Sequence, residues 1–307
     1  MKKFGAFVGG LGLMCALSSS VEAHDPPDYL GIIWQWPADK LPVTDGNISE
    51  WNVIPDEFWL TDENFNVQSC LGDATFAGDL DPSNLSFRWT MGFTNGSSKT
   101  YWALERFDDD WQEWDDVEPT IDADHSGGTF WTIEGMTDEE SERQKGRHAQ
   151  IYHLWFDDGA HLGGDSWNWF WMTAGDWYEG PPYSDVAYRF TGTPLSGEEY
   201  TQEAEYWLTA WDDYSSLDPD GSVEHIFQEG EIIGLNQNVW DRDDTQPDAD
   251  GVATVPNESR WNLSPNCESF GDADFLADYL LLEVDEEIMS TAVEADSWGN
   301  VKASFAK

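Results

Sequence analysis

Basic residues are scarce in this chain. Its 307 residues include 14 lysines and arginines against 61 aspartates and glutamates, a formal net charge of −47. Nucleic-acid binding needs a basic face, so this composition excludes it, and docking on anionic membranes is disfavoured for the same reason. We interpret most of these acids as a dense carboxylate surface that keeps the protein soluble in brine. The alternative for some of them is divalent-cation binding.

Long apolar runs are also few. Phe4–Leu17 is preceded by Lys2 and Lys3 and followed by Val21-Glu22-Ala23, a small-x-small triplet. This pattern predicts a secretory signal peptide over residues 1–23, cleaved after Ala23. The run is too short and too rich in glycine for a membrane span, and no other run approaches that length. We therefore expect a secreted or periplasmic protein that is not inserted in a membrane after cleavage.

Cysteine is rare as well. Of three cysteines, only Cys70 and Cys267 lie beyond the predicted signal peptide. In an exported protein this pair predicts one disulfide, with two free buried thiols as the alternative. Because such a bond would tie the early part of the chain to the late part, we expect a single domain over residues 24–307.

Recognisable catalytic motifs are missing. The sequence has no G-x-S-x-G, H-E-x-x-H or P-loop pattern. Glycoside hydrolysis needs two carboxylates at a fixed separation, and no such pair stands out among so many acids. The absence of C-x-x-C-H excludes covalently attached haem. We expect no catalysis and nominate no catalytic residue.

Helical periodicity is nearly absent, whereas short alternating segments are common. Phe87–Phe93 and Tyr101–Phe107 alternate on either side of Asn95-Gly96, a hairpin signal. Many such strands separated by Gly, Pro, Asn and Asp predict an all-β fold, an antiparallel β-sandwich of immunoglobulin or jelly-roll type with long loops.

Tryptophan is abundant, with 19 residues, and it is densest in His148–Gly180. There, every second residue from 167 to 171 is a tryptophan, so a strand would place these three indoles on one face. The rings either fill a core or form a stacking platform for sugar rings. The predicted sugar-contacting set is Trp155, Trp167, Trp169, Trp171, Trp177 and Tyr178, with Arg189 and Asn236 as polar partners.

Two acidic loops offer oxygen ligands at alternate positions. One contains Asp122 and Asp124 followed by Ser126-Gly127-Gly128, and the other contains Asp241 and Asp243. Hard cations take several such oxygens, so both loops are candidate calcium sites. The alternative for each is a solvated turn.

Four segments carry recognisable motifs: Asp45–Trp51, Thr100–Asp109, Glu118–Gly128 and Gly230–Asp244. In this order they resemble the family 9-type carbohydrate-binding modules and their DOMON-like relatives. The resemblance implies a β-sandwich that binds sugar and calcium; some relatives bind haem. We therefore predict an exported, non-catalytic carbohydrate-binding protein, the alternatives being a haem-binding electron-transfer subunit or a structural cell-surface module. Long insertions near residues 134–147 and 245–262 depart from the family pattern.

Overall fold

The computed structural model describes residues 29–67, 82–109, 115–130, 137, 146–155, 176–192, 199–241 and 259–284. Within these ranges the chain forms fifteen β-strands joined by turns and short 3-10 helices. No helix in the described ranges is long and apolar enough to cross a membrane.

The strands vary from two to ten residues in length. In chain order they are β1 (Gly31–Gln35), β2 (Leu60–Thr61), β3 (Asn66–Val67), β4 (Leu85–Phe93), β5 (Lys99–Asp108), β6 (Asp116–Asp122), β7 (Gln150–Ile151), β8 (Leu154–Trp155), β9 (Ser184–Thr191), β10 (Tyr200–Thr209), β11 (Trp211–Asp213), β12 (Val223–Glu224), β13 (Ile232–Asp241), β14 (Ser259–Asn262) and β15 (Ala277–Leu281).

The first sheet has the order β1-β4-β5-β10-β9, with β2 also on β4. Strands β4 and β5 pair antiparallel from Leu85↔Asp108 to Phe93↔Thr100. Gly96 in the connecting turn has a φ of +76°, a conformation that glycine adopts without steric cost. The hairpin predicted from the alternating pattern is therefore confirmed.

The second sheet is built around β13. Strand β6 pairs with one edge of β13, while β15 and β14 share its other edge, and all three pairings are antiparallel. Strand β3 extends the sheet beyond β14, and β7 and β8 pair with β6. Strands β7 and β8 are separated by Tyr152 and His153.

Strand β1 belongs to both sheets, because it pairs with β15 along one edge and with β4 along the other. Both pairings are parallel, the exceptions in a fold whose other strand pairings are antiparallel. Inward-facing residues of both sheets, such as Trp89, Trp102, Tyr206 and Leu235, pack in one hydrophobic cluster. The predicted all-β sandwich is confirmed by this arrangement.

A second hydrophobic cluster covers the outer face of the first sheet. It contains Trp34 and Trp36 from the β1 end of the chain, and Ile48 and Trp51 from a 3-10 helix, Ile48–Val53. This helix follows the Asp-Gly turn at residues 45 and 46, and Ile48 and Trp51 are its buried residues.

Glu205 of β10 fixes this segment to the sheet. Its Oε1 accepts hydrogen bonds from the backbone N–H groups of Asp45 and Gly46, both at 2.8 Å, and of Asn47 at 3.2 Å. Its Oε2 accepts one from Trp51 Nε1 at 3.0 Å. Burial raises the pKa of this carboxyl to about 7, although these four donors favour the charged form.

Candidate functional site

An aromatic cluster lies beside the start of β9 and the end of β10. Trp177 stacks on Tyr214 with ring centroids 5.2 Å apart, and it meets Tyr183 edge-on at 5.0 Å. Tyr178 stacks on Tyr183 at 6.5 Å. With these four rings, Tyr152 and Trp211 complete the set that we call the aromatic cluster.

Three rings of the aromatic cluster donate hydrogen bonds to backbone carbonyls through their polar ends. The hydroxyls of Tyr178 and Tyr152 donate to the carbonyl of Thr209 at 2.9 and 3.3 Å. Burial raises the pKa of both hydroxyls well above the ordinary value, so they stay protonated. Trp177 Nε1 donates to the carbonyl of Ser215 at 3.2 Å. These bonds hold the rings in fixed orientations.

Exposure separates the rings of this cluster into two groups. Tyr152, Tyr178, Trp211 and Tyr214 are buried, whereas Trp177 and Tyr183 are half-buried. Of the eleven tryptophans whose side chains the structure describes, nine are buried; the two that are not are Trp177 and Trp207. Lys99 Nζ lies 3.4 Å from the centroid of the Trp207 ring, so a cation already occupies one face of that indole.

Charged groups border the aromatic cluster. Arg147 makes a two-pronged ion pair with Asp213, at 2.8 and 2.9 Å, and this contact raises the pKa of the guanidinium. The backbone carbonyl of Arg147 also accepts from the N–H of Tyr214 at 2.9 Å. His225, just after β12, has its Nδ1 2.6 Å from an Asp212 oxygen.

The structure distributes the predicted sugar-contacting residues over several places. Trp177 and Tyr178 are neighbours in the aromatic cluster, but Tyr178 is buried and offers no face to a ligand. Trp155 lies in β8, and nothing is described of its side chain. Trp167, Trp169 and Trp171 fall outside the described residues.

The two predicted polar partners do not join the aromatic cluster. Arg189 is exposed on β9 and pairs with Glu203 at 2.5 Å. Asn236 is buried in β13, where its amide contacts Asn238 at 3.5 Å and its oxygen accepts from the N–H of Ser264 at 3.2 Å. Tyr183 and Tyr214 contact the half-buried ring of Trp177 instead, and the sequence carried no local signal that would bring them together.

The first acidic loop is a tight turn at the end of β6. Asp122 is buried, and its two oxygens accept from the N–H groups of Ser126 at 3.2 Å and Gly127 at 2.8 Å. Burial, helped by the neighbouring carboxylate of Asp124, raises the pKa of Asp122 to about 7. Asp124 is exposed. Asp274 approaches the same turn, since its Oδ1 accepts from Gly128 N–H at 2.9 Å.

The second acidic loop is described only at its first residue. Asp241 ends β13 and is buried, while Asp243 lies outside the described residues. Asp241 has two partners that the sequence prediction missed: single oxygens of Asp108, Asp115 and Asp241 all lie within 4.8 Å of one another. The ends of β5 and β13 and the residue before β6 bring these acids together, so only the tertiary structure reveals the group.

The predicted disulfide remains a prediction. Cys70 lies outside the described residues, and Cys267 begins a short 3-10 helix, Cys267–Phe270, without a described side chain.

Comparisons with known proteins return one structural similarity. No protein-family model matches this sequence, and no curated protein matches it. The fold is similar to a family 9 carbohydrate-binding module from Caldicellulosiruptor kristjanssonii in complex with glucose. The match has 12% identity and a TM-score of 0.43, and it covers 83% of this chain and 96% of the module. This module belongs to the family that the four sequence segments resemble. At this identity and TM-score, the match assigns no functional site to the chain.

Proposed function

We propose that this chain is an exported, non-catalytic carbohydrate-binding protein whose sugar site is the exposed edge of the aromatic cluster. The observation that carries the proposal is the half-buried state of Trp177 and Tyr183, in a chain whose other described tryptophans are buried or, for Trp207, covered by a lysine. Exposed aromatic rings held rigid by buried neighbours bind the apolar faces of sugars without ordering a flexible side chain.

The surroundings of these rings support the same class of ligand. The Arg147–Asp213 pair lies at the border of the cluster with both side chains partly exposed. Arg donors and carboxylate acceptors together match adjacent sugar hydroxyls, which both donate and accept. A neutral ligand is also compatible with a chain of net charge −47, which repels anions.

The test compares two tryptophan variants. Trp177→Ala removes a ring of the proposed site, and Trp207→Ala removes the other half-buried indole, on a different surface. Quenching of tryptophan fluorescence and calorimetry with a panel of mono- and oligosaccharides measure binding. We expect Trp177→Ala to weaken sugar binding about tenfold, the cost of one aromatic contact of about 1.4 kcal/mol, while Trp207→Ala binds as the unaltered protein does.

Trp177 also packs against buried rings, so Tyr183→Ala serves as a second variant, and near-UV circular dichroism checks that both remain folded. If folded Trp177→Ala and folded Tyr183→Ala both bind sugar as tightly as the unaltered protein does, this site is contradicted. No binding to any sugar class in the panel contradicts the proposed function itself.

We also propose that calcium stiffens the first acidic loop. Asp122 Oδ2 accepts a hydrogen bond from the N–H of Gly127. Asp274 is also close to this glycine, since a Cβ on Gly127 would lie 2.2 Å from Asp274 Oδ1. Two carboxylates and turn carbonyls supply the oxygen ligands that Ca²⁺ prefers. Asp124→Asn removes the exposed carboxylate of this loop. We expect the variant to lose part of the calcium-dependent rise in melting temperature, and an unchanged rise contradicts the proposal.

Export is proposed from the predicted signal peptide alone. Expression of the full-length chain in a secreting bacterial host, followed by N-terminal sequencing of the exported product, tests it. We expect a mature protein that begins at His24. Retention of Met1 in the cytoplasmic fraction contradicts the proposal.

A further inference from the structure

Three aliphatic side chains form a row across the outer face of the second sheet. Ile32 of β1 stands opposite Leu280 of β15, and Leu280 in turn stands opposite Ile232 of β13. Residues that stand opposite each other on neighbouring strands carry their side chains on the same face. The sequence neighbours Ile33 and Ile233 point the other way, into the hydrophobic core. We call Ile32, Leu280 and Ile232 the apolar row.

The apolar row is open to solvent. Ile32 is 37% exposed and Ile232 is 41% exposed, and Leu280 between them is half-buried. Leu30, directly before β1, is 51% exposed. Single apolar residues scattered over a surface need no explanation, whereas contiguous exposed apolar side chains mark a site of interaction. The row therefore requires a reason that isolated exposed residues do not.

The same face of β13 is covered farther along the strand. Trp240 lies on the face that carries Ile232, since both occupy alternate positions of one continuous strand. There it packs with Phe130 and Phe270 in a third hydrophobic cluster, and all three rings are buried. The fold thus covers the end of β13 with its own side chains and leaves the apolar row at the start of the strand exposed.

The charges near the apolar row are negative. Strands β1, β13 and β15 contain no lysine or arginine. Asp278 lies on the outer face of β15, Glu231 directly precedes β13, and Glu283 is exposed just after β15. His125 reaches this edge, with its Nε2 2.9 Å from an Asp278 oxygen. An apolar surface bordered by carboxylates fits a partner that is both apolar and basic, and it opposes a second copy of a chain of net charge −47.

We propose that the apolar row is a docking surface for a basic, amphipathic segment of a partner protein. The apolar side chains of that segment cover the row, and its lysines or arginines meet the bordering carboxylates. Three side chains make a surface smaller than a standard protein–protein interface, so the contact is weak and reversible. The row lies on β1, β15 and β13, whereas the aromatic cluster lies beside β9 and β10, so this surface is separate from the proposed sugar site.

The experiment uses three synthetic peptides of equal length as probes. One alternates lysine with leucine, the second alternates lysine with serine, and the third alternates glutamate with leucine. Calorimetry at physiological ionic strength measures the binding of each peptide to the full chain. The test variant is the double substitution Ile32→Thr/Ile232→Thr, because threonine is polar but keeps the branched shape that strands favour. Leu217→Thr is the matched control, since Leu217 is 70% exposed in the loop between β11 and β12.

We expect the lysine–leucine peptide to bind the unaltered protein about tenfold more tightly than the lysine–serine peptide, because only leucine buries the exposed isoleucine surface. The lysine–serine peptide measures the general attraction of a basic chain to an acidic protein, and it binds all variants equally. The glutamate–leucine peptide does not bind. In the double variant the advantage of leucine over serine falls to about twofold or less, whereas Leu217→Thr keeps it. Circular dichroism checks that both variants are folded.

Several results overturn the inference. The first is equal binding of the lysine–leucine and lysine–serine peptides by the unaltered protein. The second is an advantage of leucine that the double variant keeps, or that Leu217→Thr loses to the same extent. A glutamate–leucine peptide that binds as tightly as the lysine–leucine peptide excludes a basic partner. Finally, analytical ultracentrifugation that finds a dimer of the unaltered chain, abolished in the double variant, assigns the row to a second copy instead. Because no sugar enters these assays, none of these results bears on carbohydrate binding.

Discussion

Glu205 shows how much of a segment can depend on one side chain. Its carboxylate accepts from three consecutive backbone N–H groups and one indole N–H, and the contacts with Gly46 and Trp51 are buried, where an unbonded donor would be costly. The raised pKa reflects the burial that accompanies this role. Neighbouring Glu203 accepts a longer bond, 3.3 Å from the N–H of Ile48, and remains partly exposed.

Replacing Glu205 with Gln tests this contact. One amide oxygen still accepts backbone N–H groups, but the amide NH₂ then faces the Trp51 N–H, so two donors oppose each other. We expect a loss of about 1–3 kcal/mol in the free energy of unfolding, measured by urea denaturation. Glu203→Gln is the control, with a smaller loss. Equal losses in the two variants contradict this role of Glu205.

The raised pKa of Glu205 predicts that the free energy of unfolding depends on pH, and the same variant tests this. The native pKa of Glu205, about 7, exceeds its ordinary value of 4.5, so the native state binds more protons between these values. The contribution of this carboxyl to stability is therefore greatest below the lower value and falls as pH rises to about 7. We expect the stability of the unaltered protein relative to Glu205→Gln to fall between about pH 5 and pH 8. A difference that rises over this range contradicts the assignment.

Gly46 is required for a second reason at the same turn. Its φ is +81°, and a Cβ there would lie 2.9 Å from the backbone carbon of Tyr188. Gly96 has a similar φ of +76° with open space around it. We expect Gly96→Ala to cost about 1 kcal/mol from backbone strain alone and Gly46→Ala to cost more, because the sheet must also shift. Thermal unfolding of the two variants compares them, and equal costs contradict the steric contribution.

Single elements differ in how far the sequence predicts them. The β4–β5 hairpin follows from alternating side chains and an Asn-Gly turn, both of which are local signals. The Glu205 contact joins residues up to 160 positions apart, and the acids at positions 108, 115 and 241 meet only through the pairing of distant strands. Tyr178 and Asn236, two residues predicted to contact sugar, are buried in the structure, because residue type and spacing do not show which side chains the fold covers.

Strand β1 makes a close approach to β15 that can be tested with paired substitutions. A Cβ on Gly31 would lie 2.2 Å from the buried ring of Tyr279. We expect Gly31→Ala to destabilise the fold by about 1–3 kcal/mol through overpacking. In the Tyr279→Leu background the same change costs less, because the ring is gone. A double-mutant cycle in urea measures this coupling, and additive effects contradict a direct contact.

Net charge acts on the molecule as a whole. With 61 acidic and 14 basic residues, repulsion among exposed carboxylates opposes the compact state. Added salt shortens the screening length from about 10 Å at 0.1 M to about 3 Å at 1 M. We expect the melting temperature in a chelator to rise between these concentrations, equally in NaCl and KCl. A temperature that is unchanged or lower in both salts contradicts dominant repulsion.

The shared strand β1 also constrains how the protein is made. Its two edges are completed by β4 and by β15, and the Tyr29–Tyr279 contact beside it spans 250 positions. During synthesis, one edge of β1 therefore stays unpaired until β15, the last strand of the described chain, has been made. Loops of this size close slowly. The two sheets acquire their common boundary only after translation of β15, so the sandwich stays open along β1 until that strand arrives.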